Sequence, residues 1–355
     1  MVEFDTNPPD SIANPDLFGH SEAEGEFLKS YDKGRLPHAW LISGPAGIGK
    51  ATLAYRITRF ILTRGPSTHE TAGLFSEDIS KNKPNNLFVD ISNPICRRII
   101  SGGHPDFLCI KRGIDEKTGK KRKEITVGET RNIASFLAKT PSEGGWRVIT
   151  VDSADDLNSN AANAVLKVLE EPSKRSLLIL VSNNPAKLLP TIRSRCRRLV
   201  LKPLPKKTIH HFLMKYNPKI PSKDLDQLLE IADGSIGKAL GIINDGGLDT
   251  YRELNDILTK LPHVDIPRLH FFGDKLNRDK SGKTIEHTFN IINRWIIHAI
   301  KQNAINKISS LDPWFQVWEN TERLFNKTTR LNLDPKLTIL NTFNEIKKAT
   351  TQKGS

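Results

Sequence analysis

Residues Gly44-Pro45-Ala46-Gly47-Ile48-Gly49-Lys50 fit the pattern G-x-x-x-x-G-K, and they follow directly on the apolar run Ala39-Trp40-Leu41-Ile42. A glycine-rich loop of this kind wraps a phosphate with its backbone N–H groups, which requires a buried strand before it and a helix after it. The helix is predicted from Thr52 to Leu62, so the order strand, loop, helix commits this part of the chain to a parallel α/β sheet. Gly44, Gly47 and Gly49 are the candidate phosphate-binding glycines, and Lys50 is placed to reach the β and γ oxygens of a nucleotide. The next position, where a Ser or Thr would ligate Mg²⁺, holds Ala51, and a methyl group cannot do so.

Strand-like and helix-like segments alternate from residue 17 to about 202. Arg147–Val151 and Leu177–Val181 are short apolar runs that suit strands covered on both faces. Residues 1–16 read as an extended, Pro- and Asn-rich leader, and residues 64–106 as a long irregular excursion. Residues 107–127 suggest a hairpin, Phe107–Lys111 against Glu124–Val127, with a basic tip at 120–123 that reads first as a solvated loop. Beyond Pro205 the pattern is helical. The predicted division is an α/β nucleotide-binding domain at 1–203, a helical lid at 204–248 and an all-α domain at 249–355. In the last of these, Ile291, Ile292, Trp295, Ile296 and Ala299 form a stripe at helical spacing, repeated by Trp314, Phe315 and Trp318. Such a stripe is a core or a subunit-packing face.

A net charge of +13 favours a polyanionic partner, with nucleic acid foremost. Three scattered cysteines, Cys96, Cys109 and Cys196, have no metal-ligand spacing and suit a reducing compartment. The first ten residues lack a basic segment followed by an apolar core, and no apolar run approaches the ~20 residues that span a bilayer. A cytoplasmic location without a membrane partner is expected.

Strand Val148–Val151 ends in Asp152, the form of a Walker B element whose carboxylate holds Mg²⁺ directly or through water. Ser153 follows it, and a hydroxyl is a poor base at neutral pH. Asp155 is expected to N-cap the next helix. After the strand ending at Val181, Asn183 is placed either to meet a γ-phosphate or to cap the next turn.

The run Asn163-Ala164-Val165-Leu166-Lys167-Val168-Leu169-Glu170-Glu171-Pro172 closely resembles the N-A-L-L-K-x-L-E-E-P segment of clamp-loader subunits, AAA+ proteins that open sliding clamps on DNA. Ser194-Arg195-Cys196 is similar to their S-R-C motif. His38-Ala39-Trp40 and His104-Pro105-Asp106 extend the likeness, which runs from about Leu17 to Cys196, and Leu331–Pro335 is similar to the last helix of bacterial members. The resemblance implies an AAA+ P-loop domain, a helical lid and a helical collar.

Within that family the chain resembles the delta-prime branch of the DNA polymerase III clamp loader rather than its gamma and tau motors. Ala51 and Ser153 replace two groups of the motors, and Gly237 stands where they place the sensor-2 arginine. The implied role is a stator in a hetero-pentamer with gamma/tau-like and delta-like subunits, a sliding clamp and primer–template DNA. Arg195 is then an arginine finger for the neighbour's ATP. ATP in its own site, held through Gly44, Gly47, Gly49, Lys50, Asp152 and Asn183, would be turned over little or not at all. Many relatives carry a four-cysteine zinc module after the P-loop helix. Only Cys96 stands there, so no zinc is expected. DNA would be met through phosphates, with the helix start at Thr126 and Arg131 as candidates.

Overall fold

The computed structural model describes residues 8–64, 84–115, 119, 122–143, 145–244, 247–279, 282–305 and 311–351. Among them, one five-stranded sheet contains β1 (Ala39–Ser43), β2 (Phe107–Ile110), β3 (Arg147–Val151), β4 (Ser176–Ser182) and β5 (Arg197–Val200). The order is β2-β3-β4-β1-β5, and every pairing is parallel.

β1, β3 and β4 are buried along their whole length. Successive side chains leave a strand on opposite faces, so each strand feeds two apolar layers. Trp40, Ile42, Val148, Leu177 and Ile179 pack with Phe27, Leu53, Ile57 and Phe60 on one face. Leu41, Ile149, Leu178 and Leu180 pack with Val165, Leu169 and Ile192 on the other. Both faces being covered, the strands read as continuous apolar runs.

The leader, as far as residues 8–16 show it, is tied to the helix Lys50–Arg64. Arg59 donates to the carbonyls of Ile12 and Asn14, both at 2.6 Å, and Arg56 donates to Pro15 O and, at 2.8 Å, to Glu24. Arg59 is 1% exposed, and burial lowers its pKa to about 10. Arg59→Ala removes two charge-assisted bonds and leaves a void. The expected loss is about 3 kcal/mol in urea unfolding, with faster proteolytic cleavage within 8–16. A variant as stable and as resistant as the native chain would show that the leader is not anchored there.

Three expectations need correction. The hairpin at 107–127 does not form: β2 pairs in parallel with β3, while Ile125 bridges to Leu157 instead. The fully buried Ile125 side chain joins the layer with Val151 and Ile133, and a helix starts immediately afterwards at Val127. Between the two expected arms, Arg122 N–H donates to Gly113 O at 2.8 Å; Lys120 and Lys121 of the basic tip lie outside the described residues. The stretch 64–106 is not irregular throughout. Its residues 65–83 lie outside the described residues, but Pro94–Ile100 is a helix, started by proline and capped by Asn93. Leu87, Cys96 and Ile99 in this stretch are fully buried. Thirdly, Asp155 caps no helix. The chain turns through Ser153, at φ 75°, into a 3-10 turn Ala154–Asp156, so the helix Ser159–Glu170 begins later and Asn158 caps it.

The chain divides into two compact units. One holds the sheet and runs on to Lys219, taking in Ala232–Lys238 as well; the other holds Ile220–Ile231 and the chain from Ala239 onward. In the second unit Ile291, Ile292 and Ile296 pack with Trp314, Phe325, Ile339 and Phe343, so most of the apolar stripe is internal core. Phe271, Phe315, Leu331 and Leu337 remain exposed.

Candidate functional site

β3, β4 and β1 are neighbours, and the glycine-rich loop, Asp152 and Asn183 follow their carboxyl ends. In open α/β sheets that edge is where ligands bind. The loop leaves β1 through Gly44 at φ +148°, where a Cβ would strike the carbonyl of Leu201. Gly47 and Gly49 also have positive φ, which suits the loop to glycine alone.

Lys50 is the first residue of its helix and is 4% exposed. Its ammonium donates to Pro45 O. Burial lowers its pKa to about 8, while the charge of Asp155 and, next, that of Asp152 pull it back up. The linkage has a definite sign. Between about pH 8 and 10.5 the unfolded chain keeps a proton that the folded chain has lost, so stability rises with pH in that window. Urea unfolding of the native chain should gain up to about 3 kcal/mol there relative to Lys50→Met. Parallel pH profiles for the two chains would remove this assignment.

Asp152 accepts a hydrogen bond from the Tyr55 hydroxyl at 3.4 Å, and the same hydroxyl lies 3.3 Å from Cys109 Sγ. Burial and the neighbouring Cys109 and Asp152 push the tyrosine pKa well above its ordinary value. Asp155 takes a different part from the one expected: its carboxylate accepts from Ser182 Oγ at 2.6 Å and from the backbone N–H groups of Asn183 and Asn184. It thereby ties the end of β4 to the turn after β3. Asn184 caps the turn Pro185–Lys187, accepting from Ala186 N at 3.2 Å, while Asn183 is exposed. The groups that a magnesium nucleotide would use are thus partly committed inside the chain: Lys50 to Pro45 O, Asp152 to Tyr55, and position 51 to a methyl packed against the core.

Arg195 lies elsewhere on the same unit, at the end of the helix Pro190–Arg195 just before β5. Its Nη2 is 3.0 Å from Glu170 and its Nη1 donates to Thr191 O at 3.2 Å. The pair is exposed, at 39% and 51% of the two side chains. Arg197 is taken by Glu26. Cys196 is buried and its thiol is pushed up to about 12 by burial, which suits a core residue rather than a nucleophile.

At the DNA candidate, the helix Val127–Thr130 has a closed N-terminus. Thr126 Oγ1 accepts from Gly128 N, and Glu129 accepts from Thr126 N at 2.8 Å. A carboxylate placed there opposes a phosphate. Arg131 is exposed.

Tyr55, Glu170 and His20 were not singled out as site residues from sequence. Tyr55 stands one helical turn after Ala51, a spacing that carries the signal. Glu170 lies inside the run 163–172 already quoted, and His20 Nε2 lies 2.8 Å from Ile48 O of the loop. No group of three or more metal-ligating side chains occurs among the described residues, and no helix there is long and apolar enough to cross a membrane.

A family model described as DNA polymerase III, delta subunit, matches residues 19–205, more than half of the chain. The DNA polymerase III subunit delta′ of Pseudomonas aeruginosa is 34% identical over 199 residues, 56% of this chain and 53% of its own. Subunit delta′ of Escherichia coli is 29% identical over 217 residues, 61% and 58% of the two chains. Subunit gamma of Buchnera aphidicola subsp. Schizaphis graminum is 28% identical over 345 residues, 94% and 82% of the two. The chain spans little more than half the length of these delta′ relatives. The family inferred from the motifs and the matched family agree.

Proposed function

We propose that this chain, which belongs to the DNA polymerase III delta subunit family, is a stator of the polymerase III clamp loader. It presents Arg195 to the ATP of a neighbouring gamma/tau-like subunit and turns over little or no ATP itself. The observation that carries this reading is the state of Arg195: an exposed guanidinium at a helix end, held by one exposed carboxylate and one carbonyl. A guanidinium supplied in trans stabilises charge on a transferring phosphoryl group. In this chain's own loop, Ala51 lacks the Mg²⁺-binding hydroxyl and Ser153 lacks a base.

The assembly would be a hetero-pentamer with delta-like and gamma/tau-like subunits, acting on a sliding clamp and primer–template DNA. The three-part division at 203/204 and 248/249 belongs to this proposal, with 249–355 as the collar. Its exposed Phe271, Phe315, Leu331 and Leu337 are apolar surface suited to a partner. The second reading is a gamma-like motor, favoured by the match to a gamma subunit along 94% of the chain. One experiment separates the two: ATP turnover by the isolated chain, beside the clamp- and DNA-stimulated turnover of the reconstituted loader. A stator is silent alone and indispensable in the loader, whereas a motor turns over ATP by itself.

A further inference from the structure

Four consecutive carbonyls of the glycine-rich loop have donors from within the chain. Pro45 O takes the Lys50 ammonium, and Ala46 O takes Ser235 Oγ at 2.9 Å. Gly47 O takes the Gly237 N–H at 2.8 Å, and Ile48 O lies 2.8 Å from the His20 ring nitrogen. Two of these donors come from one turn, Gly234–Lys238, which opens the helix Ile236–Asn244. Ser235 in it is 1% exposed, and its Oγ also accepts from Lys238 N at 3.1 Å. The turn is held on its other side by Leu204 N–H donating to Gly234 O at 2.8 Å.

The contact between loop and turn is backbone against backbone. A Cβ built on Gly237 would lie 2.7 Å from Gly47 Cα, and one built on Gly47 would lie 2.5 Å from Ser235 Oγ and 2.9 Å from Gly237 Cα. No real Cβ tolerates such distances from backbone, so neither position accepts a side chain while the hydrogen bond is made.

We propose that Gly237 is a latch: its N–H and its bare Cα, with Ser235 beside it, close the turn 234–238 onto the phosphate loop without nucleotide and independently of it. Any side chain at 237 would hold the turn away from Gly47, whereas glycine lets the two backbones join directly. Gly47 then serves the joint as well as the loop. The latch rests on the stator reading, in which this chain's own loop turns over little or no ATP.

Amide hydrogen exchange on the full chain tests this, with and without Mg²⁺–ATP. In the nucleotide-free native chain the Gly237 amide should exchange about a hundredfold more slowly than a free amide, and ATP should leave that rate unchanged. Gly237→Ala should return the segment 235–238 to nearly free exchange while the amides of β3 and β4 stay protected. Ser235→Ala is the milder variant and should lose about fivefold to tenfold of the protection. Free exchange at Gly237 in the native chain, or protection that arrives only with ATP, overturns the latch. The stator fails separately: if Arg195→Ala is silent in the loader while Gly237 is protected, the stator falls and the latch geometry stands. If Arg195 is indispensable and Gly237 is unprotected, only the latch falls.

Discussion

Replacing Arg195 by alanine is expected to lower the clamp- and DNA-stimulated ATPase of a reconstituted loader by about 10³-fold or more, while the isolated chain is silent with either residue. The size follows from what a guanidinium does beside a γ-phosphoryl group, where charge develops in a site shielded from water. The geometry permits the role at low cost. Arg195 pairs with Glu170 at 3.0 Å, but both side chains are substantially exposed, and such pairs are worth about 1 kcal/mol or less. The guanidinium can leave Glu170 for a stronger anion without disturbing the fold. Arg195→Lys should recover little, because an ammonium lacks the planar fork that meets two oxygens at once. Glu170→Gln should keep the chain folded and change the loader's rate by less than about fivefold, since the pair it removes is weak. A loss below about threefold for Arg195→Ala would remove the finger from the mechanism.

Asp106→Ala should be the most destabilising single change among the motif residues, by about 3–5 kcal/mol in urea or thermal unfolding. Asp106 is 1% exposed and Arg147 4% exposed, with their charged groups 3.5 Å apart. The carboxylate also accepts from the backbone N–H of Ser142, at 2.9 and 3.0 Å, and of Glu143 at 3.2 Å. Arg147 in turn donates to Phe136 O and, at 2.6 Å, to Thr140 O. Removing the acid leaves a buried guanidinium without its counter-charge and frees the loop before β3. Amides at 142 and 143 should then exchange fast in the folded variant. If stability fell by less than about 1 kcal/mol, the Asp106–Arg147 pair would not be the organiser of that loop. His104-Pro105-Asp106 is therefore a structural motif: His104 Nδ1 accepts from Asp106 N at 3.1 Å, which sets the carboxylate beneath the loop.

Much of this molecule was legible in its residue order. Strands buried on both faces must be continuously apolar, so β1, β3 and β4 stood out as runs. The helix after the loop followed from the glycine and lysine spacing, and the runs around Glu170 and Arg195 pointed to the family. The turn at Asp155 was not legible. Its carboxylate bonds to residues 182–184, which the sheet brings close but the chain keeps far away. The false hairpin had the same origin: Glu124–Val127 was read as the partner of Phe107–Lys111, while Ile125 was claimed by Leu157 and the buried layer behind it.

The residue types at 44–51, 152 and 153 were enough to say that position 51 carries no hydroxyl and position 153 no carboxylate, because these are properties of the side chain alone, while only the resemblance to clamp-loader subunits drew notice to position 237. What the remaining groups do instead was decided by the tertiary structure. Lys50 turns to Pro45, Asp152 holds Tyr55, Arg195 leans on Glu170, and Gly237 meets Gly47. Each of the last three partnerships joins elements distant in the chain, and only the folded sheet and its turns bring such donors and acceptors within 3.5 Å.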